Sequence, residues 1–283
     1  MDENIIKKKS IKILRTINDL EEDEYLSYRE EYYNTNKELI KKYLNLFDTV
    51  QLKQNFWGRT FFHMSDLADD KDVFWVSSSL KYGMKNVFVP IDFYTLTETV
   101  LTLDCRVRGI FRVRNSMITV KECVNMLEVE LKNRTSFKDI RNKLAENFNV
   151  IDLTTAFKEI TRNYKTTVIP ENCLKIIFKC FDTKDKAERL ILYHYLYISL
   201  PKFNRHILEA TIYFLYLIHD LATNGGKEYE NNMNMEGIST VMMPNLILKE
   251  NNNVSLDQVP LLVEFMVEFI ANFPNITKQN PTF

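Results

Sequence analysis

Near the end of the chain Leu262, Phe265, Met266, Phe269, Ile270 and Phe273 recur at spacings of three and four. That period places all six on one face of an α-helix, where the period of two expected of a strand would scatter them. The stripe is expected to stop just before Pro274, because proline cannot donate into a helix interior. A second stripe runs through Leu208, Thr211, Ile212, Leu215, Ile218 and Ala222 and is expected to end at Gly225-Gly226, a natural C-terminal stop. Leu39, Ile40, Tyr43, Leu44 and Phe47 make a third. Glycine (6) and proline (7) are both sparse, and no segment shows strong strand alternation, so the pattern predicts an all-α fold. Pro90, Pro170, Pro201, Pro244 and Pro260 fall between periodic blocks and are each expected to mark a helix start or stop.

With 283 residues, 45% of them hydrophobic, the chain can bury a core of its own as one large domain or as a domain plus an extension. Its 37 basic and 38 acidic residues leave a formal net charge of -1, which argues against the broad positive field of a nucleic-acid binder. Partners must then be recognised by local patches. Cys105, Cys123, Cys173 and Cys180 form no C-x-x-C pair, and no charged-then-apolar leader opens the chain, so a reduced, cytoplasmic protein is expected. Apolar runs such as Ile212 to Ile218 are short of the roughly 20 residues of a bilayer span, and no transmembrane segment is expected. Before about residue 72 the chain is more charged, with Lys7-Lys8-Lys9 and Glu21-Glu22-Asp23-Glu24, runs that read as solvated faces.

Machinery for independent catalysis is missing from the sequence. Neither G-x-x-x-x-G-K-[ST] nor G-x-G-x-x-G occurs, so no nucleotide site of its own is expected. His63, His194, His206 and His219 have no partner at zinc-ligand spacing, and no metal site is expected. A G-x-S-x-G elbow is also absent, which leaves hydrolase chemistry without support.

Several separated segments do carry a pattern: Val73-Phe74-Trp75-Val76 with Leu80, Gly109-Ile110-Phe111-Arg112-Val113, Ala156 to Arg162, Val168-Ile169-Pro170, Leu200-Pro201-Lys202-Phe203-Asn204, and Asn231-Asn232-Met233-Asn234 followed by Met243-Pro244-Asn245-Leu246-Ile247. In order and spacing they resemble the RhoGAP family, the GTPase-activating domains for Rho, Rac and Cdc42-type switches, over roughly residues 73–275. This resemblance implies a RhoGAP-like helical bundle over 73–283, preceded by an N-terminal helical, charged extension over 1–72 with no assignable role. The chain departs from the family pattern at Tyr164-Lys165-Thr166-Thr167, Asn115, Trp75 and Gly237. The span between Pro90 and Gly109 is short for the family, which predicts a truncated or shifted helix ahead of the loop.

What the resemblance implies for function is activation in trans. Arg112 matches the family's arginine finger and would enter the active site of a GTP-loaded Rho, Rac or Cdc42-type GTPase. Lys158 and Arg162, four apart and so on one helical face, would contact the switch surface and hold the finger loop, and Asn245 would hydrogen-bond across the interface. No cofactor of the chain itself is implied, since Mg²⁺ and GTP belong to the partner. Also expected are a monomer, no nucleic-acid partner, and recruitment to membrane surfaces through the GTPase. Arg106, Arg108 and Arg114 crowd the loop and make it locally positive. Each site residue also has a plainer reading: Arg112 as a surface arginine, Lys158 and Arg162 as a solvated basic face, Asn245 as a turn residue beside Pro244. A catalytically weak or inactive module that only binds a GTPase, and a purely structural scaffold, are the competing functional readings.

Overall fold

Helices organise nearly every stretch of the computed structural model, which describes residues 15–44, 74–164, 166–223, 233–248 and 254–283. After a 3₁₀ turn at Ile17–Asp19 come α1 (Glu22–Thr35) and α2 (Lys37–Tyr43), then strands β1 (Trp75–Ser78) and β2 (Val87–Pro90). They are followed by α3 (Ile91–Thr102), α4 (Met117–Lys132), α5 (Phe137–Asn147) and α6 (Val150–Asn163). A second 3₁₀ turn at Glu171–Cys173 leads into α7 (Leu174–Cys180), α8 (Lys186–Ser199), α9 (Lys202–Thr223), α10 (Met235–Ile247) and α11 (Val259–Ile276). The Gly225-Gly226 stop, Phe47, Asn231-Asn232, Lys165 and the lysine run at 7–9 lie outside the described residues.

Local chemistry explains most boundaries. Ser116, Ser136, Asn149, Asp185 and Asn234 each accept a backbone amide from the first turn of the helix they precede, satisfying donors that helix starts leave open. Pro90 caps α3 and Pro260 sits in the first turn of α11, where a missing N–H costs nothing. Two prolines do not stop helices as expected. Pro244 lies inside α10, and α11 runs through Pro274 to Ile276. At Pro244 the interior position is retained by burial on both sides, with Met242, Met243, Leu246 and Ile247 all in the core. The span between Pro90 and Gly109 holds a full helix of 12 residues beginning at Ile91.

Among the described residues, the short hairpin is the strand element that helical periodicity does not foresee. β1 pairs antiparallel with β2, Trp75 opposite Pro90 and Ser78 opposite Val87. Val87 and Val89 point into the core while Phe88 faces out, a period of two too short to stand out in the sequence. β2 packs on α9, and α3 follows it directly to pack on α6. α6 is central, touching α3, α4 and α10, while α11 closes the other side against α10 and α8.

α11 is long and apolar enough, by length and composition alone, to cross a membrane, which corrects the expectation that no stretch of the chain reaches that mark. Leu262, Phe265, Met266, Phe269 and Phe273 are nonetheless fully buried in the core. Tyr193 Oη also donates to Glu268 on the same helix at 2.9 Å. Its apolarity is that of a core helix.

Residues 15–44 precede the boundary at 73 in sequence but share the same core. Ile17 N donates to Thr277 O at 2.8 Å, and Thr16 bridges Lys278. Asn18 Nδ2 donates to Glu209 Oε2 at 2.6 Å and to Tyr197 Oη at 3.1 Å, while Arg205 Nε donates to Asn18 Oδ1 at 3.2 Å. The buried Glu209 also accepts from Tyr82 N at 2.6 Å and Gly83 N at 3.2 Å. One carboxylate therefore ties the N-terminal segment, the hairpin connection and α9 together.

Candidate functional site

Between α3 and α4 the chain makes a loop whose shape depends on two left-handed residues, Gly109 at φ 82° and Phe111 at φ 64°. Gly109 is required twice over. Its φ suits glycine, and a Cβ there would meet Val113 Cγ2 at 2.5 Å. Its carbonyl accepts from both Arg112 N at 2.9 Å and Val113 N at 2.8 Å, which closes the turn that lifts Arg112. A bulky residue such as Phe111 in this region stores about 1–3 kcal/mol of strain. Burial holds it there: its ring is fully enclosed and meets Phe157 and Phe214 edge-on at centroid distances of 6.4 and 6.0 Å.

Helix α6 supports the loop from below. Lys158 Nζ donates to the Phe111 carbonyl, the group immediately before Arg112. Lys158 is only 7% exposed, so it is no part of a solvated basic face. Burial, with the nearby Arg114 charge adding to it, pushes its ammonium down to a pKa of about 8. Six residues earlier on the same helix, Asp152 Oδ1 accepts from Asn115 Nδ2 at 2.7 Å. Asp152 Oδ2 meanwhile accepts from Asn149 N at 3.2 Å, completing the cap of α6.

Arg112, Val113 and Arg114 are exposed between these two supports. Arg108 is exposed as well, whereas Arg106 is turned onto Asp104, with Nε to Oδ1 at 2.8 Å and Nη2 to Oδ2 at 3.2 Å. Among the arginines of the loop, Arg112 is the exposed one that directly follows the buried Phe111 and donates its amide to the Gly109 carbonyl. A guanidinium presents a rigid planar fork of donors that matches phosphate oxygens.

Arg162 lies one turn beyond Lys158 and is exposed at the end of α6. The four-residue spacing therefore produces a face that passes from core to surface. Asn245 sits inside α10, and its Nδ2 donates to Val241 O of the same helix at 2.8 Å. It is not a turn residue beside Pro244. The structure brings Arg112 and Lys158 into one unit, places Arg162 on the helix that supports it, and puts Asn245 on the neighbouring α10. In the altered segment, the described ends are anchored: Tyr164 is buried with its hydroxyl 3.4 Å from Asp92 Oδ1, and Asn204 Nδ2 donates to Thr167 O at 3.2 Å and Val168 O at 3.0 Å.

Sequence reasoning misses Asp152 and the left-handed Phe111. Asn149-x-x-Asp152 is readable as a capping box, but its second bond, to Asn115, joins residues 37 apart in sequence.

The family model of the RhoGAP domain matches residues 90–251, more than half of the chain. The chain belongs to the RhoGAP domain family. The chain is 26% identical over 187 residues to the Rho-GTPase-activating protein LRG1 of Saccharomyces cerevisiae, a match covering 65% of this chain and 17% of that protein. The chain therefore spans less than a fifth of that curated relative. In fold, the RhoGAP bundle is similar to the BH domain from GRAF, the GTPase regulator associated with focal adhesion kinase, with a TM-score of 0.56 and 16% identity over 68% of this chain and 95% of that one. It is also similar to human Rho GTPase activating protein 15, with a TM-score of 0.54 and 18% identity over 65% and 82% of the respective chains. The RhoGAP match begins at the end of β2, so residues 15–44 and most of the hairpin lie ahead of it.

Proposed function

We propose that the chain binds a GTP-loaded Rho-family small GTPase and accelerates its hydrolysis, with Arg112 entering the partner's active site. Such GTPases hydrolyse GTP slowly because charge developing on the transferring phosphoryl group is incompletely neutralised, and an arginine supplied in trans completes the site. The observation that carries this reading is the placement of Arg112: an exposed residue whose preceding neighbour is locked by its own buried ring and by a buried lysine. A pre-positioned donor loses little freedom on entering the site, and arginines of this kind contribute about 10³–10⁵ in rate. The GTP and Mg²⁺ on which the reaction runs are the partner's. The exposed Arg108 and Arg114 add local positive potential toward a triphosphate. Arg162 and Asn245 serve at the contact surface, Asn245 by exchanging its bond to Val241 for one across the interface.

Single-turnover phosphate release from a panel of Rho, Rac and Cdc42-type GTPases, with and without the protein, tests the reading. Arg112→Ala is expected to abolish stimulation while leaving binding to the GTP-loaded partner within a few-fold of wild type. Full stimulation by that variant overturns the assignment of the finger. Binding without stimulation by the wild type would place the chain among modules that only bind.

A further inference from the structure

We infer that Asn115 and Asp152 form a second tether of the finger loop, making both of them positioning residues for Arg112; the inference rests on the function proposed above. The loop has two ends to hold. Lys158 grips the Phe111 carbonyl on the N-terminal side. On the C-terminal side Asn115 Nδ2 reaches Asp152 Oδ1 at 2.7 Å, and only Arg112, Val113 and Arg114 lie between the two grips, all exposed.

Both grips lead to one rigid body. Asp152 and Lys158 stand on α6, and Asp152 is locked in its rotamer by its other oxygen, which accepts from Asn149 N at 3.2 Å. Asp152 is 4% exposed, so solvent competes weakly for the bond, and a carboxylate acceptor makes it stronger than a neutral pair. Asn115 stands near where a glycine often follows the finger in the resembled family. Its backbone does not need glycine here, since the left-handed positions of this loop are Gly109 and Phe111 alone. The side chain at 115 thus adds a constraint that glycine cannot supply, directly ahead of the Ser116 cap of α4. A finger clamped at both ends to one helix is ordered before the partner arrives, and its effect falls on the stimulated rate more than on affinity.

An inversion of donor and acceptor tests this. In Asn115→Asp two carboxylates face each other; pairing it with Asp152→Asn restores one donor and one acceptor, and the asparagine oxygen still serves the cap of α6. Expected for N115D is a fall in maximal stimulated hydrolysis of about tenfold to a hundredfold, the scale of a small misplacement of a catalytic group, with half-saturating concentration within twofold of wild type. The N115D/D152N pair is expected to recover to within about threefold, a coupling that only interacting sites show. Hydrogen exchange of the peptide 109–116 in the free protein, read alongside, should be faster in N115D and return to wild type in the pair. Asn115→Ala supplies the same readouts should N115D fail to fold. Wild-type rate and wild-type exchange in N115D or Asn115→Ala overturn the tether, as does a folded pair that recovers neither. Should the wild type itself stimulate no GTPase, the proposed function fails, and the exchange data still decide the tether by themselves.

Discussion

On the proposed function, Lys158 is a buried charge that serves activity against stability. Its ammonium is enclosed, donates to a neutral carbonyl, and has no carboxylate paired with it among the described residues. Its pKa in the folded protein, about 8 against an ordinary 10.5, means that folding disfavours the charged form. The cost, about 3 kcal/mol, is in full force below pH 8 and lifts as pH climbs from 8 to 10.5. Lys158→Met is therefore expected to leave thermal stability unchanged or raise it at pH 7, while stimulated hydrolysis falls about tenfold or more because the Phe111 carbonyl loses its donor. Melting curves beside single-turnover rates check this. A variant that melts lower and keeps its rate would show that Lys158 is a structural residue. The lysine and arginine spacing that marked this helix was legible in the sequence. The depth to which Lys158 sinks was not, since it depends on a loop 47 residues away.

At the scale of elements, α11 and α6 differ in how far their sequences reveal them. The stripe of α11 reads directly, and every residue of it from Leu262 to Phe273 is buried. Phe269 lies between Phe265 and Phe273 at centroid distances of 5.0 and 5.4 Å and meets Tyr193 at 6.0 Å. Phe269→Ala should cost about 3–5 kcal/mol through lost contact and the cavity left behind, read by denaturant unfolding in aqueous buffer. A cost below about 1 kcal/mol would mean that the helix does not pack as the core of the bundle. By contrast α6 hides its purpose. Its cap, Asn149 with Asp152, is a local signal, yet the same carboxylate holds the loop. Pro244 and Pro274 mislead for the converse reason: proline's local cost is fixed, and burial of the residues around it outweighs that cost in α10 and α11.

Across the whole molecule, His194 joins the first and last described helices. Tyr28 of α1 lies 2.9 Å from His194 Nε2, and His194 Nδ1 lies 2.6 Å from Ile276 O at the end of α11. With a carbonyl fixing Nδ1 as the donor, the neutral ring accepts from Tyr28. Burial lowers its pKa to about 4 from 6.5. A base with a depressed folded pKa contributes stability that is present above pH 6.5 and is lost as pH falls from 6.5 toward 4, about 2 kcal/mol of it by pH 5. Melting temperature should fall over that window in wild type, and His194→Asn should flatten the fall. The difference between the two isolates His194 from Asp92 and Glu209, whose carboxyls burial pushes up and which act with the opposite sign. Identical slopes in both proteins would remove His194 from this role.

What the sequence determined by itself is local or repeated. Helical periodicity follows from the 3.6-residue turn, and the order of short segments around Arg112, Lys158, Arg162 and Asn245 was enough to indicate the family. Tertiary structure alone decided that Phe111 is left-handed, that Lys158 is buried, that Asp152 reaches Asn115, and that residues 15–44 lie against α8, α9 and α11. Each of these depends on groups far apart along the chain, from 37 residues between Asn115 and Asp152 to 191 between Asn18 and Glu209. Periodicity identifies which face of a helix is apolar. Which polar group that face encloses, and with what partner, is settled only when the helices pack and the desolvation of each charge is met or left unmet.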